Sequence, residues 1–343
     1  MDQRTPLLFR DRHEALATSG ILLWTSLAWG ASFWWMGQPS WPGAMFGLLL
    51  CLHAMVLAAY LVHEAAHTTL FAQLVHNRRA GEWVGFMAGA GYASFDRIRH
   101  MHLRHHRDRA DLSCFDFKGL LQRHPMLKRL LQALEWAYIP ASELVMHGQV
   151  ICRPFLEPSQ RQHRGRVLAM LLLRGTLLTA LAAWSAQAFL LYLLAWVLLL
   201  HVLNFFDAFH HTFDQFFVAA DQPVPPGARD RAYEQANTFS NVVSARWRWL
   251  NLLTLNFGYH NAHHERAAAP WYRLAQVHQE LYGAQTTTLM PLSRLLRAWH
   301  RHRVARVSAE HYGAGGAGDA RDAVIADIDQ FVGAHGVSFL TVV

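Results

Sequence analysis

Apolar residues dominate two long stretches of the 343-residue chain, and neither stretch carries an acid or a strong base. From Ala15 to Val62 there is no Asp, Glu, Lys or Arg. One helix crossing a bilayer takes about 20 apolar residues, so this run holds two crossings and a turn. The turn is legible at Gly37-Gln38-Pro39-Ser40, with Pro42-Gly43 just after it. Trp34, Trp35 and Trp41 flank it, as an interfacial aromatic belt would. A second charge-free run, Gly175 to Phe206, is extended upstream by Val167–Leu173 and turns near Ser185-Ala186-Gln187. The pattern predicts four spans, near 17–36, 43–63, 167–184 and 188–207, paired in two hairpins. Arg174 falls inside the third, where a cation either marks a cavity or substrate path or snorkels to the surface.

Both lysines and every arginine other than Arg174 fall in residues 1–14, 64–166 and 207–343. The positive-inside rule then puts both termini and a cap formed by 64–166 and 208–312 in the cytoplasm. Within the cap, Trp83–Ala93 is apolar, Gly-rich and too short to span. Leu130–Val150 reads as an interfacial helix broken at Pro140, and Asp221–Asp230 as a Pro/Gly loop. The expected fold is an all-α membrane protein, with four transmembrane helices in two hairpins and a helical cap. Residues 1–312 form its domain. Residues 313–343 form a tail, with a flexible linker at Gly313–Gly318, a helix at Ala320–Phe331, an apolar end at Val337–Val343 and no motif-assigned role. The N-terminus does not read as a cleaved signal peptide, because the apolar stretch after it is far too long.

Composition agrees with a membrane setting. Charged residues make up 16% of the chain, where soluble domains carry about 25%. The net charge of +7 is nearly all arginine, which suits lipid headgroups; no nucleic-acid partner is expected. Three scattered cysteines, Cys51, Cys114 and Cys152, form no CxxC pair. That excludes a disulfide scaffold, a thiolate zinc site and a built-in iron–sulfur centre.

Histidine is the anomaly: there are 23, nearly half of them in four short clusters. His63-Glu-Ala-Ala-His67 starts one residue after the first charge-free run and puts two imidazoles on one helical face. It matches the zinc-protease HExxH pattern, but such an enzyme has no use for the further clusters. His102-Leu-Arg-His105-His106 and His260-Asn-Ala-His263-His264 share the HxxHH spacing, again one helical face each. Asp207-Ala-Phe-His210-His211 follows the second charge-free run. Asp207 and His211 are four apart, which favours His211 over His210 as the chemically active imidazole. Two spans thus deliver their clusters to one membrane face, and the HxxHH groups can fold over it. Nitrogen-rich ligation suits iron, copper, zinc or nickel. A site at acyl-chain depth, suited to oxidising an apolar substrate, tilts the choice to iron. A metal transporter would instead need polar ligands within the spans, where His53 and His201 are the candidates.

His63–His67, His102–His106 and His260–His264 together resemble the three boxes of the membrane fatty acid desaturase superfamily, over roughly residues 20–300. That superfamily also contains alkane, sterol and carotenoid hydroxylases and ketolases. Thr68-Thr69-Leu70-Phe71 and Asn77 resemble its acyl-desaturase branch. The resemblance implies two iron ions that use dioxygen and two electrons to abstract hydrogen from unactivated methylenes. It implies desaturation of an acyl chain on a lipid, CoA or carrier protein, with hydroxylase, ketolase or acetylenase chemistry as the alternative. It gives His63, His67, His106 and His264 to one iron, and His102, His105, His211, His260 and His263 to the other. Asp207 stands where relatives have an Asn that holds a metal-bound water, so it would act directly or through water. His100 is expected outside the ligand set. No HPGG haem segment, ferredoxin cysteine set or GxGxxG unit is present in the sequence, so a separate ferredoxin or similar carrier, with its reductase, would supply electrons. Arg97, Arg99, Arg104, Arg107 and Arg109 form a basic run that suits an acidic carrier, an acyl carrier protein, a CoA phosphate or lipid headgroups. The expected location is the bacterial inner membrane.

Overall fold

The computed structural model describes residues 7–218, 222–225, 227, 229–283, 289–309, 327–334 and 340–341. In chain order its elements are α1 (Arg12–Met36), α2 (Trp41–Ala66), α3 (Leu74–Met87), α4 (Phe95–Asp108), β1 (Asp111–Ser113), α5 (Phe117–Arg123), α6 (Pro125–Trp136) and α7 (Ala141–Leu156). They continue with α8 (Arg164–Trp184), α9 (Ala186–Ala208), β2 (Gln215–Phe217), α10 (Arg231–Ala236), α11 (His260–Glu265), α12 (Leu274–Tyr282) and α13 (Leu292–Arg306).

The four long helices fall where the charge-free runs place them. α1 starts at Asp11, whose carboxylate accepts the Glu14 N–H at 2.8 Å. It ends at Gly37, and Pro42 opens α2 in the first turn, where its missing N–H costs nothing. Among the described residues, three helices are long and apolar enough to cross a membrane: Trp41–Ala66, Pro158–Trp184 and Ala186–Ala208. The expected fourth span, α1, is long enough at 25 residues, but Thr18, Ser19, Thr25, Ser26 and Ser32 dilute it. It packs beside α2 and buries Thr18, Thr25 and Ser32 completely. Its polar face therefore points at protein.

α2 is the central post. Every residue from Ala54 to Ala66 is buried, because α1, α3, α4 and α9 pack around it. α8 is the opposite case: only Val167 and Leu181 are buried, and Leu168, Leu172, Leu173 and Trp184 project outwards. Such an apolar surface is at home in lipid.

Arg174 is held by backbone carbonyls. Its guanidinium donates to the Phe86 carbonyl at 3.0 Å and the Ala90 carbonyl at 2.9 Å. These carbonyls lie at the end of α3 and just beyond it, where helical acceptors go unsatisfied. Arg166, two turns earlier, donates to Gly91 O at 2.7 Å and pairs with Glu82. Residues 88–93, part of the short apolar stretch, thus form a turn pinned from α8. Gly89 has φ +81°, and a Cβ there would meet the Trp196 Nε1 at 2.4 Å, so only glycine fits.

The cap is helical, with one small exception. β1 and β2 pair in parallel, Asp111 with Gln215 through Ser113 with Phe217. This pair ties the chain after α4 to the chain after α9. The expected interfacial helix is two helices, α6 and α7, with Pro140 at the break. Residues 222–225 of the Pro/Gly loop adopt no regular structure. The Gly313–Gly318 linker and residues 320–326 of the expected tail helix lie outside the described residues. Residues 328–330 form a single 3₁₀ turn rather than the end of an α-helix.

Candidate metal centre

Four segments bring nine imidazoles together. His63 sits in the last turn of α2, and His67 caps it with φ −79° and ψ −4°, so the helical pitch carries both to one side. The chain then turns back sharply at Thr68, φ +62°. Asn77 locks that turn: its Oδ1 accepts from the Leu70 and Phe71 N–H groups at 3.2 and 3.3 Å, and its amide donates to Phe71 O and Gln73 O. α4 begins at Ser94, whose hydroxyl accepts the Arg97 N–H, and presents His102, His105 and His106. α11, six residues long, presents His260, His263 and His264. His211 comes from the exit of α9.

The imidazoles form two main groups, and a smaller donor set of His106, Glu234 and His264 bridges them. Ligand-capable nitrogens of His63, His67, His102, His106 and His263 lie within 4.8 Å of one another. Those of His105, His211, His260 and His264 form a second set on the same terms. Helical spacing explains the sorting. The i, i+4 pair of each HxxHH box stays in one group: His102 and His106 in the first, His260 and His264 in the second. The i+3 histidine, rotated off that line, crosses to the other group, as His105 and His263 do. This grouping differs from the division implied by the resemblance, which put His264 with the first iron and His102 and His263 with the second, although the bridging set still keeps His106 and His264 together. The groups adjoin where the His106 and His264 rings lie 4.2 Å apart.

Asp207 is brought into neither group. α9 ends at Ala208, so the i, i+4 relation to His211 is lost: Asp207 stays on the helix and His211 lies on an extended segment bridged to Thr238. The Asp207 Oδ2 is buried without a hydrogen-bond partner, within electrostatic reach of Glu143 and Asp111. His210 also stays out of both groups. Its ring stacks on His260 at 3.9 Å and 14°, and its Nε2 donates to Asn241 Oδ1 at 2.6 Å. His100 is exposed and belongs to neither group. Glu64, the acid of the HExxH pattern, accepts from the Thr69 hydroxyl at 2.6 Å and the Trp271 N–H at 3.0 Å. It ties the first box to the chain after the third and is not poised as a protease base.

The outer hydrogen bonds fix where protons sit in the four-imidazole group. His105 Nδ1 faces the Ala110 carbonyl at 2.9 Å, and a carbonyl only accepts, so Nδ1 carries the hydrogen. His264 Nδ1 donates to Glu234 at 2.9 Å. The Thr238 hydroxyl gives its hydrogen to Glu234 O at 2.6 Å, so it accepts from His211 Nδ1 at 3.3 Å. All three leave a bare lone pair on Nε2, aimed inwards. His105 Nε2 and His211 Nε2 lie 3.2 Å apart, and two lone pairs at that distance repel unless a cation lies between them. His264 Nε2 is buried with no partner at all. A proton is a poor candidate for that cation. Burial, reinforced by neighbouring imidazoles, pushes His102, His106, His211, His260 and His263 well below the usual range, and His67 and His105 down to about 3. In His264 burial is opposed by the Glu234 carboxylate. Neutral imidazole is the ligating form, so both groups fit a divalent first-row metal.

Glu234, Thr238 and Asn241 carry this outer layer, and no spacing signal marks them in the sequence. They act from 27 or more residues away, through pairing that only the fold creates. Two arginines of the expected docking run also have internal work. Arg104 is buried and bonds Asp108 and Gln222 O, while Arg109 bonds Glu234 at 3.0 Å.

The sequence pattern of the fatty acid desaturase family matches residues 39–295, a segment containing all nine imidazoles, both groups and the three helices suited to a membrane. Comparison with curated proteins and with solved structures gives no match. On that family match and this site, the chain belongs to the fatty acid desaturase family.

Proposed function

We propose that this membrane protein is an oxygen-dependent desaturase of fatty acyl chains. His63, His67, His102, His106 and His263 would hold one iron, and His105, His211, His260 and His264 the other. Asp207 would act at most through water. When bound, the two irons supply an oxidant strong enough for an unactivated methylene: dioxygen, two electrons and two protons take one hydrogen from each of two neighbouring carbons and leave two waters.

The observation that carries the reading is the pairing of two adjacent all-imidazole groups with the inner ends of α2 and α9. The chain's own residues then have clear tasks. The helices suited to a membrane would bring the site to the depth of an acyl chain. Glu234, Thr238 and Ala110 hold three imidazoles in the ligating tautomer. The crowded rings and Phe257, at 4.8 Å from His63 and 5.0 Å from His210, exclude water from one side of the site. Electrons would come from a separate ferredoxin-like protein, from the cytoplasmic side of a bacterial inner membrane. Arg107, exposed on α4 and paired with Asp108 at 2.7 Å, would be the docking-run arginine closest to that carrier's acidic surface or to lipid headgroups.

The test is lipid profiling by mass spectrometry in a host expressing the protein or its His263→Ala variant. Acyl chains lighter by one hydrogen pair, absent with the variant, support desaturation. Chains heavier by one oxygen would make it a hydroxylase. An unchanged profile with a suitable electron donor present would sink the reading.

A further inference from the structure

The short segment 327–334 lies against the end of α9 and against α13, and its contacts lead to the four-imidazole group. Ile328 and Phe331 are completely buried. The Phe331 ring packs on Phe209 at 5.3 Å and on Phe239 at 5.8 Å. Phe209 directly precedes His210 and His211, and Phe239 directly follows Thr238, the acceptor for His211 Nδ1. The Phe239 N–H donates to His210 O at 2.8 Å. Phe331 therefore backs the paired segments that carry His211, and His210 in turn stacks on His260.

The backbone of the segment is fastened at both edges. The Ala334 N–H donates to Ala208 O at 2.8 Å, satisfying a carbonyl at the very end of α9. That approach needs glycine next door: Gly333 has φ +86°, and a Cβ there would fall 2.7 Å from Ala208 O. On the other edge, His302 Nε2 donates to Asp329 O at 2.8 Å and Arg306 Nε to Val332 O at 2.6 Å. The Arg306 guanidinium lies 4.1 Å from the Trp299 ring centre and 5.6 Å from that of Phe209, so α13, the segment and the exit of α9 share one packed seam.

We propose that residues 327–334 are a strap that positions the four-imidazole group, supporting His211 through Phe209 and Phe239 and His260 through the stacked His210 ring. It acts on the site without touching a metal. The inference rests on reading the imidazole groups as a two-metal centre. Four imidazoles on a six-residue helix, a helix end and an extended segment have little rigidity of their own, and the strap supplies a fixed wall behind them.

The experiment uses full-length protein in detergent, with Phe331→Ala, Phe331→Leu and Gly333→Ala. Metal per chain is counted by mass spectrometry, and the metal-free proteins are titrated with Co(II) followed by its visible absorption. The wild type is expected to take up two ions. Phe331→Ala should bind one ion as the wild type does and the other about tenfold more weakly or worse, the scale of losing a group behind a ligand. Phe331→Leu should recover most of the loss, since it refills the gap between Phe209 and Phe239. Gly333→Ala should behave like Phe331→Ala, and it carries the test alone if Phe331→Ala does not purify. Two ions bound with unchanged affinity in these variants, or both weakened alike, would overturn the strap's role. A wild type that binds no metal would instead remove the two-metal reading, and the strap proposal with it.

Discussion

The two imidazole groups are built from different materials. The five-imidazole group takes four of its members from α2 and α4, helices of 26 and 14 residues, and α2 is buried on all sides near its end. The four-imidazole group takes one member from α4 and the rest from a six-residue helix and an extended segment. Its extra support is chemical: Ala110 O, Glu234 and Thr238 each hold an Nδ1 hydrogen, and His210 stacks on the fourth ring. Where the backbone is short or irregular, hydrogen bonds must fix both ring angle and tautomer.

The sharpest way to break this comparison is to remove one ligand from each group. His63→Ala and His260→Ala should both abolish turnover, since the proposed chemistry needs both metals. Each should cost a metal at its own group, read as one ion per chain instead of two. Loss of both ions from either variant would mean the groups are one site.

Next in size is the response to pH, where the groups should behave alike. His67, of the first group, and His105, of the second, are both lowered to about 3 in the fold, from an ordinary value of 6.5. As pH falls below 6.5 the unfolded chain takes up these protons first. Stability is therefore present above 6.5 and is lost progressively between 6.5 and about 3. Thermal unfolding of the metal-free protein should show a midpoint falling steadily over that window. A midpoint flat across it would contradict the burial of neutral imidazoles.

Glu234→Ala should then separate the groups again. It removes the acceptor for His264 Nδ1 and the ion-pair partner of Arg109. Metal affinity at the four-imidazole group should drop by roughly 10–100-fold, the usual effect of losing such a carboxylate, with the other group unchanged. Thr238→Val should do the same on a smaller scale. It deletes one neutral hydrogen bond of about 1 kcal/mol, or roughly fivefold in affinity at that group. Equal effects on both groups in metal titrations would remove the distinction.

Most of the frame was legible in the sequence. The charge-free runs placed α2, α8 and α9 nearly to the residue, because lipid tolerates so few polar side chains. Histidine spacing marked the eight imidazoles of the three boxes, whereas His211 was favoured through a spacing to Asp207 that the end of α9 removes. Spacing could not divide them, because the division depends on how α4 and α11 are rotated about their axes relative to each other. Asp207 and His211 look like an i, i+4 pair, but α9 ends at Ala208 and separates them. The span expected over α1 is not among the helices apolar enough to cross a membrane, because Thr18, Ser19, Thr25, Ser26 and Ser32 lower its hydropathy. Arg174 read as a lipid-facing or functional cation, yet it satisfies carbonyls at and just past the end of α3. Glu234, Thr238, Phe331 and Gly333 carry no local pattern. Their roles arise from contacts across the fold, which periodicity does not record.

The central claim is that nine histidines, divided five and four, hold two metal ions in one membrane-embedded oxidase. The direct measurement is iron per chain in anaerobically reconstituted, full-length protein, alongside His260→Ala. The account predicts two irons in the wild type and one in the variant. No iron in the wild type, or the same count in both, would contradict it.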